Sequence, residues 1–124
     1  MEDEQISRLF LFPLTAKVNK QGHLVIGGCD TTELAEEFGT PLYVFDELTL
    51  RHQCADFKEA LRQRYPNTTV LYASKAFINR PLALLLKEEG LGLDVVSAGE
   101  MSIARSVDFP LGQAYFHGNN KSDE

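Results

Sequence analysis

The 124-residue sequence has no tryptophan, two cysteines and two methionines. Two cysteines cannot build the disulfide framework of a small secreted domain. Neither Cys29 nor Cys54 has a second cysteine or histidine at ligand spacing, which argues against a zinc site. Long apolar runs are missing too: Phe10-Leu11-Phe12-Pro13-Leu14 is too short and broken to cross a bilayer or serve as the apolar part of a signal. Positive charge is scarce, with 12 Lys and Arg against 18 Asp and Glu and a net charge of -6. With no basic stripe to offset it, that balance argues against general binding to a nucleic-acid backbone. No internal repeat or low-complexity tract is present. What remains, 44% hydrophobic and 24% charged residues, describes a chain that buries a core. The acidic start Met1-Glu2-Asp3-Glu4, where a secretory signal would be basic, points to the cytoplasm.

Residues 1 to about 21 read as a loosely specified leader, followed by strands at 23–26 and at Pro41-Leu42-Tyr43-Val44-Phe45. Asp30 with Glu33 makes a capping box before a helix over 34–38, which Gly39 ends. Asp46 caps a longer helix with Leu50, Cys54, Phe57 and Leu61 at helical spacing, and that helix must stop before Pro66.

A charged amine then appears where it is least expected, inside the strand-like run Val70-Leu71-Tyr72-Ala73-Ser74-Lys75-Ala76-Phe77. Period-two alternation puts Leu71, Ala73, Lys75 and Phe77 on one face, where apolar surroundings favour the neutral amine, a nucleophile toward aldehydes. The competing explanation is structural: a lysine near a strand end commonly runs its amine out to water along its methylene stem. About twenty residues on, Leu93-Asp94-Val95-Val96-Ser97-Ala98-Gly99-Glu100 is a second short apolar strand, interrupted by Asp94. Ser97 and Glu100 form a capping box for a helix over 101–107, a structural duty, and Gly99 supports the tight turn.

Between these strands, Asn79-Arg80-Pro81, then Leu82, Leu84, Leu85 and Leu86, then Gly90, reads as a capped helix with a proline in its first turn and a glycine stop. Strand, helix, strand makes the two strands parallel. Lys75 and Asp94 then both lie toward the C-terminal ends of their strands, the edge where α/β folds place their chemistry. A third strand over 113–116 leads into His117, Asn119 and Lys121 on the same edge. His117 can titrate near neutrality and Asn119 can hydrogen-bond a loop or a neighbouring subunit; a plainly solvated loop has the same composition.

Three segments in this order and spacing carry a resemblance: Tyr72-Ala73-Ser74-Lys75-Ala76-Phe77, Asp94-Val95-Val96-Ser97-Ala98-Gly99-Glu100 and Phe116-His117-Gly118-Asn119-Asn120-Lys121-Ser122. Together they resemble the diaminopimelate decarboxylase family, related to the ornithine and arginine decarboxylases and more distantly to alanine racemase. The resemblance runs from Gly22 to the end. It implies an α/β fold, the incomplete N-terminal part of a (β/α)8 TIM barrel, preceded by a short segment that joins the β-domain of the full-length family. Residues 1–45 would be that segment and residues 46–124 the first part of the barrel.

The resemblance further implies pyridoxal 5'-phosphate as cofactor, bound covalently by Lys75, with Asp94 near the lysine and cofactor and Ala73 a small residue lining its bed. His117 and Asn119 fall in an active-edge loop. The family often has Asn where Phe77 stands and a second Gly where Ala98 stands; neither difference removes a reactive group. The implied activity of the parent enzyme is decarboxylation of meso-diaminopimelate to L-lysine and carbon dioxide, by a homodimer acting on a small amino acid, with neither membrane nor nucleic acid involved.

A complete barrel needs roughly 250 residues, so this chain is expected to be a piece with about three barrel strands. The family's ring-stacking histidine, glycine-rich phosphate loop and substrate-binding residues would lie elsewhere, and the piece alone is expected to be inactive. An open remnant also exposes a face and an edge, and is expected to self-associate or fold fully only with the rest of the barrel. The alternatives are an ornithine- or arginine-type decarboxylase, a racemase, or a non-catalytic folding or interaction module.

Overall fold

The computed structural model describes residues 9–119 and 121. Met1 to Glu4, and Asn120 and Ser122 of the third motif, lie outside the described residues. The chain divides into two compact units, Met1–Gln53 and Cys54–Glu124.

In the first unit a 3-10 turn, Leu9–Leu11, precedes three short antiparallel strands in the order β1-β2-β3: β1 Lys17–Val18, β2 Leu24–Ile26 and β3 Cys29–Asp30. The stretch expected to be a loose leader therefore contains a strand, because Lys17 and Val18 pair with Val25 and Leu24. The strand expected over 23–26 is present. Ile26 pairs with Cys29, leaving Gly27 and Gly28, both at positive φ, as the two-residue turn of a tight hairpin. Asp30 then caps helix α1, Thr31–Phe38, by accepting from the Thr32 amide at 2.9 Å. The helix starts at Thr31, three residues before the expected 34, as a cap at Asp30 with Glu33 in the third helical position requires. Gly39 ends it, its N–H donating to the Ala35 carbonyl.

Pro41 to Phe45 is not a strand here; no ladder partner pairs with it among the described residues, despite its β-branched and aromatic composition. Asp46 caps helix α2, Glu47–Arg62, as its sequence position indicates, accepting from the Thr49 amide at 3.1 Å and from the Thr49 hydroxyl.

The second unit is built as strand, helix, strand, helix, strand: β4 Leu71–Ala73, α3 Arg80–Glu88, β5 Gly92–Val95, α4 Ala98–Arg105 and, after a 3-10 turn at Leu111–Gln113, β6 Ala114–Phe116. The three strands are parallel, in the order β4-β5-β6. Asn79 caps α3 through the Leu82 amide, Pro81 sits in the first turn, and Gly90 at positive φ follows its end, as the sequence indicates. Lys87 and Arg80 on α3 donate to the carbonyls of Val107 and Ser106, satisfying the C-terminal end of α4.

Alternation gives the sheet two unlike faces. Leu93 and Val95 have no solvent exposure, and they join Leu82, Ala83, Leu85 and Leu86 of α3, Ala104 of α4, Leu91 and Phe109 in the core. On the opposite face stand Leu71, Ala73, Gly92, Asp94 and Tyr115, with Leu71 and Tyr115 exposed. Gly92 is required there by space: a Cβ would lie 2.5 Å from Leu71 Cδ2 and 2.6 Å from the Gln113 carbonyl oxygen.

Gly92→Ala is therefore expected to destabilise the chain by about 1–3 kcal/mol, since a backbone carbonyl cannot move aside cheaply. Gly112→Ala, with no atom within 4 Å of the added carbon, is expected to change stability by less than about 0.5 kcal/mol; urea titration of both variants checks the contrast. A second expectation concerns acid. The Thr32 hydroxyl above all, then His23 and the Thr32 amide, hold the Asp30 carboxyl well below the usual carboxylate range against a partial desolvation that opposes them. A depressed folded-state value stabilises above the unfolded pKa, and that contribution is lost as pH falls through the folded value. Asp30→Asn is expected to reduce the acid slope of stability between about pH 5 and pH 2, measured by urea midpoints, without abolishing it. Asp46, lowered chiefly by the Thr49 hydroxyl, remains to contribute.

Candidate functional site

The C-terminal edge of the parallel sheet is formed by three loops, and each sequence-selected residue lies on it or one step inside. The first loop departs from expectation. β4 ends at Ala73, and the chain turns at once, the Ala76 amide donating to the Ala73 carbonyl at 3.1 Å. Lys75 lies in that turn, not in a strand, and is exposed; the apolar surroundings expected of its amine are absent. Phe77 likewise lies beyond the strand, 41% exposed. The strand stops because Ser74, whose amide donates to the Asp94 carbonyl at 2.9 Å, is the last residue to bond β5 before the turn.

Ser74 is buried, and its hydroxyl has no hydrogen-bond partner among the described residues. Tyr72 donates its hydroxyl to the Phe77 carbonyl at 2.7 Å, across the loop that carries Lys75. Burial pushes the Tyr72 phenol up from its ordinary value, so it stays a donor.

Asp94 sits in β5 as the register partner of Ala73 on one side and Tyr115 on the other. These three side chains form a row on the exposed face. Among the described residues no hydrogen bond or ion pair joins Lys75 to Asp94, or either of them to His117 or Asn119. What the fold brings together is thus an edge: a small residue beside a carboxylate, with a solvent-facing amine two residues beyond the small one.

The second loop is structural, as its sequence suggests. Ser97 accepts from the Glu100 amide at 3.2 Å while Glu100 accepts from the Val96 amide at 2.8 Å, a capping box at the start of α4 whose carboxylate reaches back to the residue before the cap. The helix begins at Ala98, earlier than the expected 101, because the box closes on that turn. In the third loop the His117 amide donates to the Val95 carbonyl at 2.8 Å, while the side chains of His117 and Asn119 are exposed. Lys121 folds back, donating to the Phe116 carbonyl at 2.6 Å with its ammonium 5.1 Å from the Phe116 ring centre.

The edge fits a flat, aldehyde-bearing group. Lys75 offers an accessible amine, Ala73 leaves room for a ring to approach the strand, and Asp94 supplies a negative charge on the same face. Tyr72 and Gly92 escaped the sequence reading. A tyrosine in a strand carries no mark of its acceptor, and a glycine in a strand shows its steric reason only when the neighbours are placed.

Residues 48–124, more than half of the chain, match the family described as "Pyridoxal-dependent decarboxylase, pyridoxal binding domain", and the chain belongs to that family. Its relatives are more particular. It is 50% identical over 108 residues to the diaminopimelate decarboxylase of Bacillus methanolicus and 48% identical over 110 residues to that of Bacillus subtilis. These matches cover 87% and 89% of this chain but 25% of each relative. The crystal structure of diaminopimelate decarboxylase from M. jannaschii superposes with a TM-score of 0.73 at 35% identity, over 87% of this chain and 26% of that one. The chain therefore spans about a quarter of the length of the curated relatives it matches, and its β4 to β6 unit is an early part of their barrel.

Proposed function

We propose that this chain is the lysine-bearing part of a pyridoxal-phosphate-dependent decarboxylase that converts meso-diaminopimelate to L-lysine and carbon dioxide. The observation that carries the reading is the placement of Lys75, Asp94 and Ala73 together on the C-terminal edge of a parallel sheet. Its likeness to diaminopimelate decarboxylases supports the substrate. The M. jannaschii enzyme solved in complex with L-lysine agrees with the product. Residues 1–45 are assigned to the β-domain and 46–124 to the barrel. A homodimer of the full-length protein, located in the cytoplasm, completes the reading on the family's strength.

When bound, pyridoxal phosphate supplies an electron sink for the pair left behind by a departing carboxylate. The chain's own residues supply attachment and charge. Lys75 would hold the cofactor through its Nζ, and the same amine would hold or move a proton at this edge. Asp94 places a carboxylate on the adjoining strand, favouring positive charge on the groups around it. Ala73, beside Asp94, keeps the strand surface low where a flat ring would lie. The exposed His117 and Asn119 border this edge and are available to a substrate or to a neighbouring subunit.

Incubation of the chain with pyridoxal phosphate, followed by borohydride reduction and peptide mapping, is expected to label Lys75 selectively. Equal labelling of Lys17, Lys20, Lys58, Lys87 and Lys121 would overturn the assignment. Asp94→Ala is expected to weaken cofactor retention by about tenfold or more, the scale of losing a close charge partner, with an unchanged thermal melt; tight retention in that variant would remove Asp94 from the site. In the full-length protein, carbon dioxide release from meso-diaminopimelate, set against ornithine, arginine and loss of optical rotation, distinguishes this activity from the other decarboxylases and a racemase.

A further inference from the structure

Lys75 is exposed, so no packing fixes its side chain, and its aim depends on the backbone that carries it. That backbone leaves β4 and is tied down at its root by two amides, Ser74 to the Asp94 carbonyl and Ala76 to the Ala73 carbonyl. At the root the Ser74 hydroxyl is buried and has no hydrogen-bond partner among the described residues. The far end of the loop is held differently. Tyr72 sits in β4 on the face it shares with Leu93 and Ala114, and its hydroxyl reaches over the turn to the Phe77 carbonyl at 2.7 Å. The bond spans five residues with Lys75 inside the span.

We propose that Tyr72 is a positioning residue for Lys75, its hydroxyl strapping the two ends of the amine-bearing loop so that the exposed lysine leaves the sheet edge in one direction. The inference rests on the assignment of Lys75 as the attachment residue. It adds a group that touches neither cofactor nor substrate and acts through the Phe77 carbonyl. Attack on an aldehyde is sensitive to placement, and a small displacement of the nucleophile lowers its rate far more than it lowers stability. Tyrosine suits the task because its ring is half-buried and fixed while its hydroxyl remains protonated across the neutral range.

Tyr72→Phe removes the strap and keeps the ring. Without any pyridoxal phosphate, amide hydrogen exchange at residues 75–77 is expected to quicken by about three- to fivefold, the scale of one hydrogen bond, with β5 and α3 unchanged. With pyridoxal phosphate and borohydride, the labelling rate at Lys75 is expected to fall by a similar factor while Lys17 and Lys20 label as before. The pH profile of labelling is expected to keep its midpoint and lose plateau height, which separates lost positioning from an altered amine. Selective labelling of Lys75 at the parent rate in Tyr72→Phe would overturn the strap and leave the attachment site standing. Absence of selective labelling in the parent would overturn both. Should the variant unfold, the parent gives the answer: a slowly exchanging Tyr72 hydroxyl proton in NMR supports the strap, and one exchanging at the free rate overturns it.

Discussion

Burial of Leu93 and Val95, neither of which has any solvent exposure, is the constraint on which every candidate residue depends. Both lie on one face of β5, and alternation then forces Asp94 onto the other. A slip of one residue would carry Asp94 into the core and expose two large apolar side chains, each worth about 1.5–3 kcal/mol when buried. The register is therefore set by hydrophobic burial on the face opposite Asp94, and through it Ala73 and Tyr115 come to flank the carboxylate.

The rim above this row is a chain of backbone bonds. The first and third loops begin by donating an amide to the strand beside them, Ser74 to Asp94 and His117 to Val95, while the Ser97 and Glu100 bonds seat the middle loop on its helix. Rigidity in the backbone and freedom in the side chains are thus combined at one edge. Lys75, His117 and Asn119 all face solvent, yet the positions from which they project are determined.

The first unit uses another device. Asp30 accepts from Asn19, Thr32 and His23 at 2.7–2.9 Å, so one carboxylate joins the turn before β2 to the cap of α1. Short strands with few buried side chains, only Val25 and Ile26 among the three, gain their order from such polar ties. In the parallel unit, the face bearing Asp94 leaves Leu71 and Tyr115 exposed, whereas complete barrels fill that interior with layers of side chains.

Much of this was written in local sequence. The caps at Asp46, Asn79 and Ser97, the proline of α3, the parallel crossover and the occurrence of one amine and one carboxylate near the ends of neighbouring strands follow from nearest-neighbour chemistry and periodicity, which act over a few residues. The misreadings share one cause: where a pattern continues, only a partner tells where pairing stops. The alternation through Ser74 to Phe77 resembles a strand, but the sheet bonding ends at Ser74 and Lys75 turns into solvent; the apolar run at 41–45 has strand composition and no ladder. Sequence by itself determined which candidate groups are present and the order in which they occur, because residue type and local spacing are covalent facts. Tertiary structure alone decided that Lys75 is exposed, that Gly92 has no room for a methyl group and that Tyr72 reaches Phe77, because each depends on atoms brought together through space.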